Sequence, residues 1–129
     1  MLKKITLISA LTVSAFSQQA QAADAIDGWT YISNTANSNF YVKNGTLKQK
    51  QGVRSMLIQQ VPSSKTSNDE VLFRRVSIPV QACLDEYGEI SMYDLGGRLV
   101  AKFDYVKGGS SVAAFTADLM CIDADKPLK

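Results

Sequence analysis

The segment that decides the predicted fold is Val76–Cys121, which reads VSIPVQACLDEYGEISMYDLGGRLVAKFDYVKGGSSVAAFTADLMC. It combines a strand pattern, a glycine pair between two alternating segments, a helical pattern and both cysteines. A glycine pair flanked by alternating apolar residues is typical of a β-hairpin. We therefore predict a strand, a hairpin and a C-terminal helix.

The hairpin prediction implies a definite register. A two-residue turn at Gly96–Gly97 would pair Met92 with Ala101, Ile90 with Phe103, Tyr93 with Val100, Ser91 with Lys102 and Glu89 with Asp104. Only the last pair, with two carboxylates face to face, conflicts chemically.

The hairpin is flanked by a predicted strand and a predicted helix. Val71–Leu84 alternates like one long strand, with Pro79 at an edge or a bulge because proline lacks a ladder donor. After a cap at Ser110 or Ser111, a helix shows one apolar stripe opposite a side that is mostly alanine. The stripe consists of Val112, Phe115, Leu119 and Ile122.

The first half of the chain supplies shorter strand patterns at 28–33, 40–42 and 54–61. Asn44–Gly45 predicts a two-residue turn that brings Val42 opposite Leu47. The lysine- and glutamine-rich segment 48–52 is predicted to be a solvated edge or loop, and the polar segment 63–70 a loop.

The N-terminus has the pattern of an export signal. Lys3 and Lys4 precede an apolar run, Ile5–Phe16, and a small-x-small site ends at Ala22. The alternatives are a buried helix or a membrane anchor, but the run is shorter than the roughly 20 residues that a span needs. We predict cleavage between Ala22 and Ala23, residues 1–22 as signal, and one domain at 23–129 without a transmembrane segment. The protein would then be exported, to the periplasm first of all, with the cell surface or the medium as further destinations.

The two cysteines, Cys83 and Cys121, are predicted to form a disulfide. Export implies an oxidising compartment, and a domain of this size gains from a covalent link. Two free thiols or a shared metal are the alternatives, although two cysteines without histidine cannot complete an ordinary zinc site. The expected class is thus α+β: a single antiparallel sheet of five to six strands, with the C-terminal helix packed on one face and tied by the disulfide.

The charge balance and the missing residue types narrow the function. Without Lys3 and Lys4, the 14 basic residues become 12, which equals the 12 acidic ones, so nothing favours nucleic acid as a partner. The chain has no histidine, which excludes histidine-dependent nucleophiles. Carboxylate chemistry in the segment 85–104 stays formally open, but solvated surface carboxylates are the commoner case. We expect no enzyme, no cofactor and no metal.

Four residues are candidates for contact with a protein partner: Arg74, Arg75, Tyr93 and Tyr41. Arginine and tyrosine are favoured at binding hot spots. Adjacent arginines in a strand point to opposite faces, so each could equally cover a ring or pair with a carboxylate at an edge.

The order of these features resembles the surface-adhesin protein E family of small exported bacterial proteins. The matching positions are Trp29, Phe40–Val42, Thr46–Leu47, Cys83, Tyr93–Asp94 with the glycine turn, Gly108–Ser111 and Cys121. The resemblance spans nearly the whole predicted domain. It implies the same sheet-and-helix fold and a role in binding host matrix or serum proteins, although the lipid-anchoring cysteine of the family's namesake is missing.

The expected function is therefore that of a non-catalytic, exported, adhesin-like protein-binding module. The alternative is a periplasmic envelope protein with a structural, stress-related or inhibitory role, acting on an envelope partner.

Overall fold

The computed structural model describes residues 24–63 and 70–128. In these residues an antiparallel sheet carries a C-terminal helix on one face, which confirms the predicted α+β class. The predicted signal at 1–22 and its cleavage point between Ala22 and Ala23 lie outside the described residues, as does most of the predicted loop at 63–70. Neither of the two described helices is long and apolar enough to cross a membrane.

The sheet contains seven strands in the described residues, one more than the upper bound of the predicted five to six. The strands are β1 (Trp29–Asn34), β2 (Ser38–Lys43), β3 (Lys48–Lys50), β4 (Val53–Pro62), β5 (Leu72–Pro79), β6 (Tyr87–Tyr93) and β7 (Leu99–Val106). The helices are α1 (Val80–Asp85) and α2 (Val112–Met120). The strand order is β1-β2-β4-β5-β6-β7, and the short β3 pairs with the first residues of β4.

Side chains alternate across each strand, so the sheet has two distinct faces. The inner face, which packs against α2, supplies most of the core: Met56, Ile58, Val76, Ile78, Ile90 and Tyr105. Ala117 and Met120 complete this core from the helix, and both are fully buried. The outer face is the opposite side of the sheet.

The predicted long strand Val71–Leu84 is wrong beyond Pro79. At that residue β5 reaches its last partner, Val53, which is the first residue of β4. Because β4 offers no further residue to pair with, the backbone after Pro79 forms its hydrogen bonds within the helix α1 instead. Pro79 is the N-cap of this helix, and the Val80 N–H donates to the Gly52 carbonyl at 2.8 Å. Cys83 therefore lies on a short helix and not on a strand.

The segment 48–52, predicted to be a solvated edge or loop, contains the exposed strand β3, paired with β4, and a tight turn. Gln51 and Gly52 both have positive φ, of 52° and 77°, as a two-residue hairpin turn between β3 and β4 requires. The predicted apposition of Val42 and Leu47 is wrong, because β2 pairs with β4 and Val42 lies opposite Ile58.

The register of the β6–β7 hairpin is confirmed along most of its length. Met92 pairs with Ala101, Ile90 with Phe103, Ser91 with Lys102 and Glu89 with Asp104. Near the turn the prediction is one residue out, because Tyr93 pairs with Leu99 and the loop has three residues closed by Asp94 and Arg98. The apposed carboxylates are relieved by Lys102, whose Nζ lies 3.5 Å from Glu89 Oε1.

Most of the apolar stripe of α2 faces away from the sheet. Phe115, Leu119 and Ile122 of the apolar stripe are exposed, by 46%, 37% and 59%, while the alanine side packs on the sheet. Small side chains allow the helix to approach the sheet closely. Gly109 is part of this approach, since a Cβ there would lie only 3.1 Å from the Ala114 Cβ.

Two contacts hold the end of α2 and set its rotation. The first is the disulfide between Cys83 and Cys121, with Cα atoms 5.3 Å apart, which confirms the predicted link. The second is the fully buried Arg54 on the inner face of β4. Its Nη1 donates to the Met120 and Ile122 carbonyls at 3.0 and 2.6 Å, its Nη2 to those of Asp123 and Lys126 at 3.1 and 3.0 Å, and its Nε to Gln49 at 2.9 Å. The cation thus caps the negative end of the helix dipole.

The last turn of the helix is also linked to β7, by a buried tyrosine. The Tyr105 hydroxyl donates to Asp118 Oδ1 at 2.8 Å, and the Gly108 N–H donates to Oδ2 at 3.2 Å. Burial first, then the hydrogen bond to Asp118 and the negative charges of Asp118 and Glu86, raise the pKa of Tyr105 to about 12.

This raised pKa predicts a loss of stability in alkali. The folded protein holds the phenolic proton more tightly than the unfolded chain, in which the tyrosine pKa is about 10. The contribution of this proton to the free energy of unfolding is fully present below about pH 10 and is lost as the pH rises through about 12. Denaturant unfolding across this interval should show a smaller pH dependence for Tyr105→Phe. The exposed Tyr87→Phe is the control, and equal pH dependence in all three proteins would contradict the prediction.

Candidate functional site

The outer face carries a row of large side chains across four neighbouring strands. Tyr31 pairs with Tyr41, Tyr41 with Gln59, and Gln59 with Phe73. Side chains of directly paired residues project from the same face, so these four lie side by side. Aromatic residues favour β-strands, and here the same residues give the outer face an aromatic surface.

Four aromatic residues on this face make two ring contacts, Trp29 with Phe73 and Tyr31 with Tyr41, and together they form what we term the aromatic cluster. The ring centroids of Trp29 and Phe73 are 6.0 Å apart, and those of Tyr31 and Tyr41 are 5.8 Å apart in an edge-to-face arrangement. The Lys43 ammonium lies 5.2 Å from the Trp29 centroid, within cation–π range.

Tyr41 forms the base of the cluster and offers no surface to a partner. It is 2% exposed, and its hydroxyl donates to the Asp24 carbonyl at 2.7 Å. Burial, with the charge of Asp24 and the neighbouring Tyr31, raises the pKa of Tyr41. Tyr41 is therefore not available as a partner contact. Its neighbours Tyr31 and Phe73, which are 44% and 39% exposed, become the candidate contact residues instead.

The structure brings two of the other candidates together and separates the third. Arg75 is exposed on the outer face and pairs directly with the half-buried Tyr93 on β6. Arg74 lies opposite Ile58 on the inner side, where its Nη1 donates to the Phe73 carbonyl at 3.0 Å. Arg75 and Tyr93 therefore share a face with the aromatic cluster, whereas Arg74 does not.

The carboxylates between 85 and 104 do not converge on one site. Asp94 pairs with Arg98 at 3.3 Å, Glu86 with Lys107 at 3.0 Å and Glu89 with Lys102 at 3.5 Å. The hydrogen bond from the Arg98 N–H is the main reason that the pKa of Asp94 is lowered. Within 24–63 and 70–128, no three acidic or cysteine side chains are grouped as metal ligands.

A cavity of about 660 Å³ lies between the inner face and the first turns of α2. Its floor consists of buried core residues, among them Phe40, Ile58, Val76 and Ile90. The sequence contains no motif for such a cavity. The one relevant signal is the alanine-rich side of α2, although the helical pattern does not determine which side faces the sheet.

Known proteins provide no assignment for either feature. No family model, curated protein or solved structure matches the chain. Membership of the surface-adhesin protein E family therefore stays a prediction, and so does the binding role that it implies.

Proposed function

We propose that this protein is an exported, non-catalytic binding module that holds another protein on its outer face. The observation that supports this most directly is the exposed part of the aromatic cluster, Tyr31 and Phe73, next to the cations Lys43 and Arg75. Aromatic and arginine side chains dominate the energetics of protein interfaces. A host matrix or serum protein, as the family resemblance implies, is the proposed partner.

The cluster is suited to binding because its rings are already held in place. The Trp29 ring packs at a tilt against the Phe73 ring, and Tyr31 packs edge-on against the buried Tyr41. Ordering a free side chain on binding costs roughly 0.5–1.5 kcal/mol, and rings fixed by their neighbours avoid much of that cost. The sheet beneath them is rigidly paired on both sides of β4.

Two features of the chain support the exported part of this proposal. The disulfide between Cys83 and Cys121 is of the kind that persists in oxidising compartments. The lysine-flanked apolar run at the N-terminus has the pattern of an export signal.

The binding proposal predicts that Tyr31→Ser combined with Phe73→Ser weakens capture of the partner on the order of tenfold or more. The measurement is binding of the purified oxidised protein to immobilised host matrix and serum proteins. Leu84→Ser combined with Leu95→Ser is the matched control, since both residues are exposed apolar positions outside the strands that carry the cluster, one on α1 and one in the β6–β7 loop. Equal binding by the two double variants, or no saturable binding by the wild type, would refute the proposal.

The side of the outer membrane on which the domain lies distinguishes a host partner from an envelope partner. Protease treatment of intact cells that express the C-terminally tagged chain should remove the tag while a periplasmic marker survives. Protection of the tag until the outer membrane is opened would instead favour the periplasmic alternative, in which the same face holds an envelope protein.

A further inference from the structure

The cavity beneath α2 exists because the helix turns its small side chains inward. Ala113 and Thr116 line the cavity, whereas Phe115 and Leu119 of the same helix face outward. A close-packed core tolerates few voids larger than a water molecule. With the opposite rotation, Phe115 would fill this space, but Arg54 and the disulfide hold the helix end so that Ala117 and Met120 face the sheet.

The cavity has an apolar floor and a polar mouth. Ile58, Val76 and Ile90, all at most 2% exposed, form part of the floor. The mouth is lined by exposed residues that can form hydrogen bonds, from the end of β1 and from the turn before α2: Asn34, Thr35, Ser110 and Ser111. We propose that this cavity binds a small uncharged amphiphile, with its apolar body on the floor and a neutral hydrogen-bonding head at the mouth.

The size of the cavity fits such a ligand. Sites for small molecules typically enclose about 300–1,000 Å³, with mostly apolar walls and a few polar groups that fix orientation. At about 660 Å³, this cavity falls in the middle of that range. Most of its deeply buried wall is aliphatic, which suits an alkyl chain.

The charges around the cavity favour a neutral head. Among the described residues that line it there is no lysine or arginine. The one charged residue, Asp104, lies between the inward-facing Phe103 and Tyr105, so its side chain projects from the outer face. A carboxylate head would gain a small stabilisation from the N-terminus of α2. It would also lose part of its hydration without a cationic partner among the lining residues, and that loss costs more. A hydroxyl or carbonyl head can use the mouth's hydrogen-bonding groups without that penalty.

The test uses the full chain, expressed and purified with the disulfide intact. The neutral fluorophore N-phenyl-1-naphthylamine should bind saturably to one site and be displaced by 1-decanol. Decanoate, which has the same chain length and a charged head, should displace it about tenfold less well. Equal or better displacement by decanoate would overturn the assignment of a neutral head, and absence of saturable fluorophore binding would overturn the site.

Variants that narrow the cavity should weaken fluorophore binding. Ala113→Leu narrows it from the helix and Met92→Phe from the sheet, and each should weaken fluorophore binding by at least about tenfold. Leu119→Phe, which adds bulk on the exposed side of the same helix, is the control and should bind like the wild type. Unchanged binding by a folded filling variant would place the fluorophore elsewhere and refute the proposal.

A measurement on the wild type keeps the proposal testable if both filling variants fail to fold. Titration with 1-decanol should shift the methyl resonances of Ile58, Val76 and Ile90 in nuclear magnetic resonance spectra, while those of the exposed Leu84 and Leu95 stay in place. Shifts confined to the exposed leucines would refute the assignment.

Discussion

Replacing Arg54 by methionine is expected to lower the free energy of unfolding by roughly 3–5 kcal/mol. The guanidinium is fully buried and satisfies four carbonyls at the end of α2, so its removal leaves acceptors without donors. A buried unsatisfied acceptor costs about 1–3 kcal/mol, although carbonyls nearer the surface regain water. Because domains of this size are stabilised by about 5–15 kcal/mol, the loss should be plain in denaturant titrations.

The control for this substitution is Arg75→Met, an exposed arginine on the neighbouring strand, whose effect should stay within about 0.5 kcal/mol. Arg54→Lys should recover only part of the loss, because an ammonium cannot reproduce the planar fork of donors. Hydrogen exchange gives a local readout: the Ala124 and Lys126 N–H groups, bonded to Cys121 and Asp123, should exchange faster in Arg54→Met. Equal destabilisation by Arg54→Met and Arg75→Met would contradict the capping role.

Removing the disulfide by Cys83→Ser is the second large effect, with an expected loss of about 3–4 kcal/mol. The bond closes a loop of 38 residues, for which the chain-entropy model gives about 4 kcal/mol. The strands should survive, since their pairing does not depend on the bond. Thermal unfolding with circular dichroism should show a lower melting temperature and a native-like spectrum at low temperature.

Reduced wild-type protein and the double variant Cys83→Ser, Cys121→Ser are the comparisons for this prediction. Both should have the same melting temperature as the single variant. A wild-type melting temperature that does not change with reductant would show that the bond does not stabilise the domain. Since Arg54 and the disulfide hold the same helix end, their effects should not be additive. A cycle that combines Arg54→Met with Cys83→Ser should give a coupling of about 0.5–3 kcal/mol.

The helix end held by these two contacts also shapes the proposed ligand site. Arg54 and Cys121 fix the rotation of α2, and that rotation turns the alanines toward the sheet and leaves the cavity open. Loss of either contact should therefore weaken fluorophore binding as well as stability. The outer face is on the opposite side of the sheet, so binding there should be less sensitive to the same changes.

The features that could be predicted from the sequence are those with local causes. The alternation around Met92 and Ala101 fixes most of the β6–β7 register, because side chains of one strand alternate between faces with a period of two. Arg74 and Arg75 point to opposite faces for the same reason. The disulfide followed from having two cysteines in a chain predicted to be exported.

The candidate sites depended on contacts between distant parts of the chain. Tyr41 could not be separated from Tyr31 by pattern, because its environment includes a contact distant in sequence, the hydrogen bond from its hydroxyl to the Asp24 carbonyl. Phe73 joins the cluster only when the sheet brings it next to Trp29. The cavity depends on which side of α2 faces inward, and a helical stripe alone does not determine that.

The sequence by itself thus determined the class of fold, the main strands, the hairpin and the covalent link, since each follows from local periodicity or from residue counts. Only the tertiary structure decided that the strand ends at Pro79, that the alanine side of α2 packs on the sheet, and that Arg54 caps the helix. The carbonyls that Arg54 binds lie 66–72 residues away in the chain. Such an interaction has no period or motif, because it arises from the packing of the helix on the sheet.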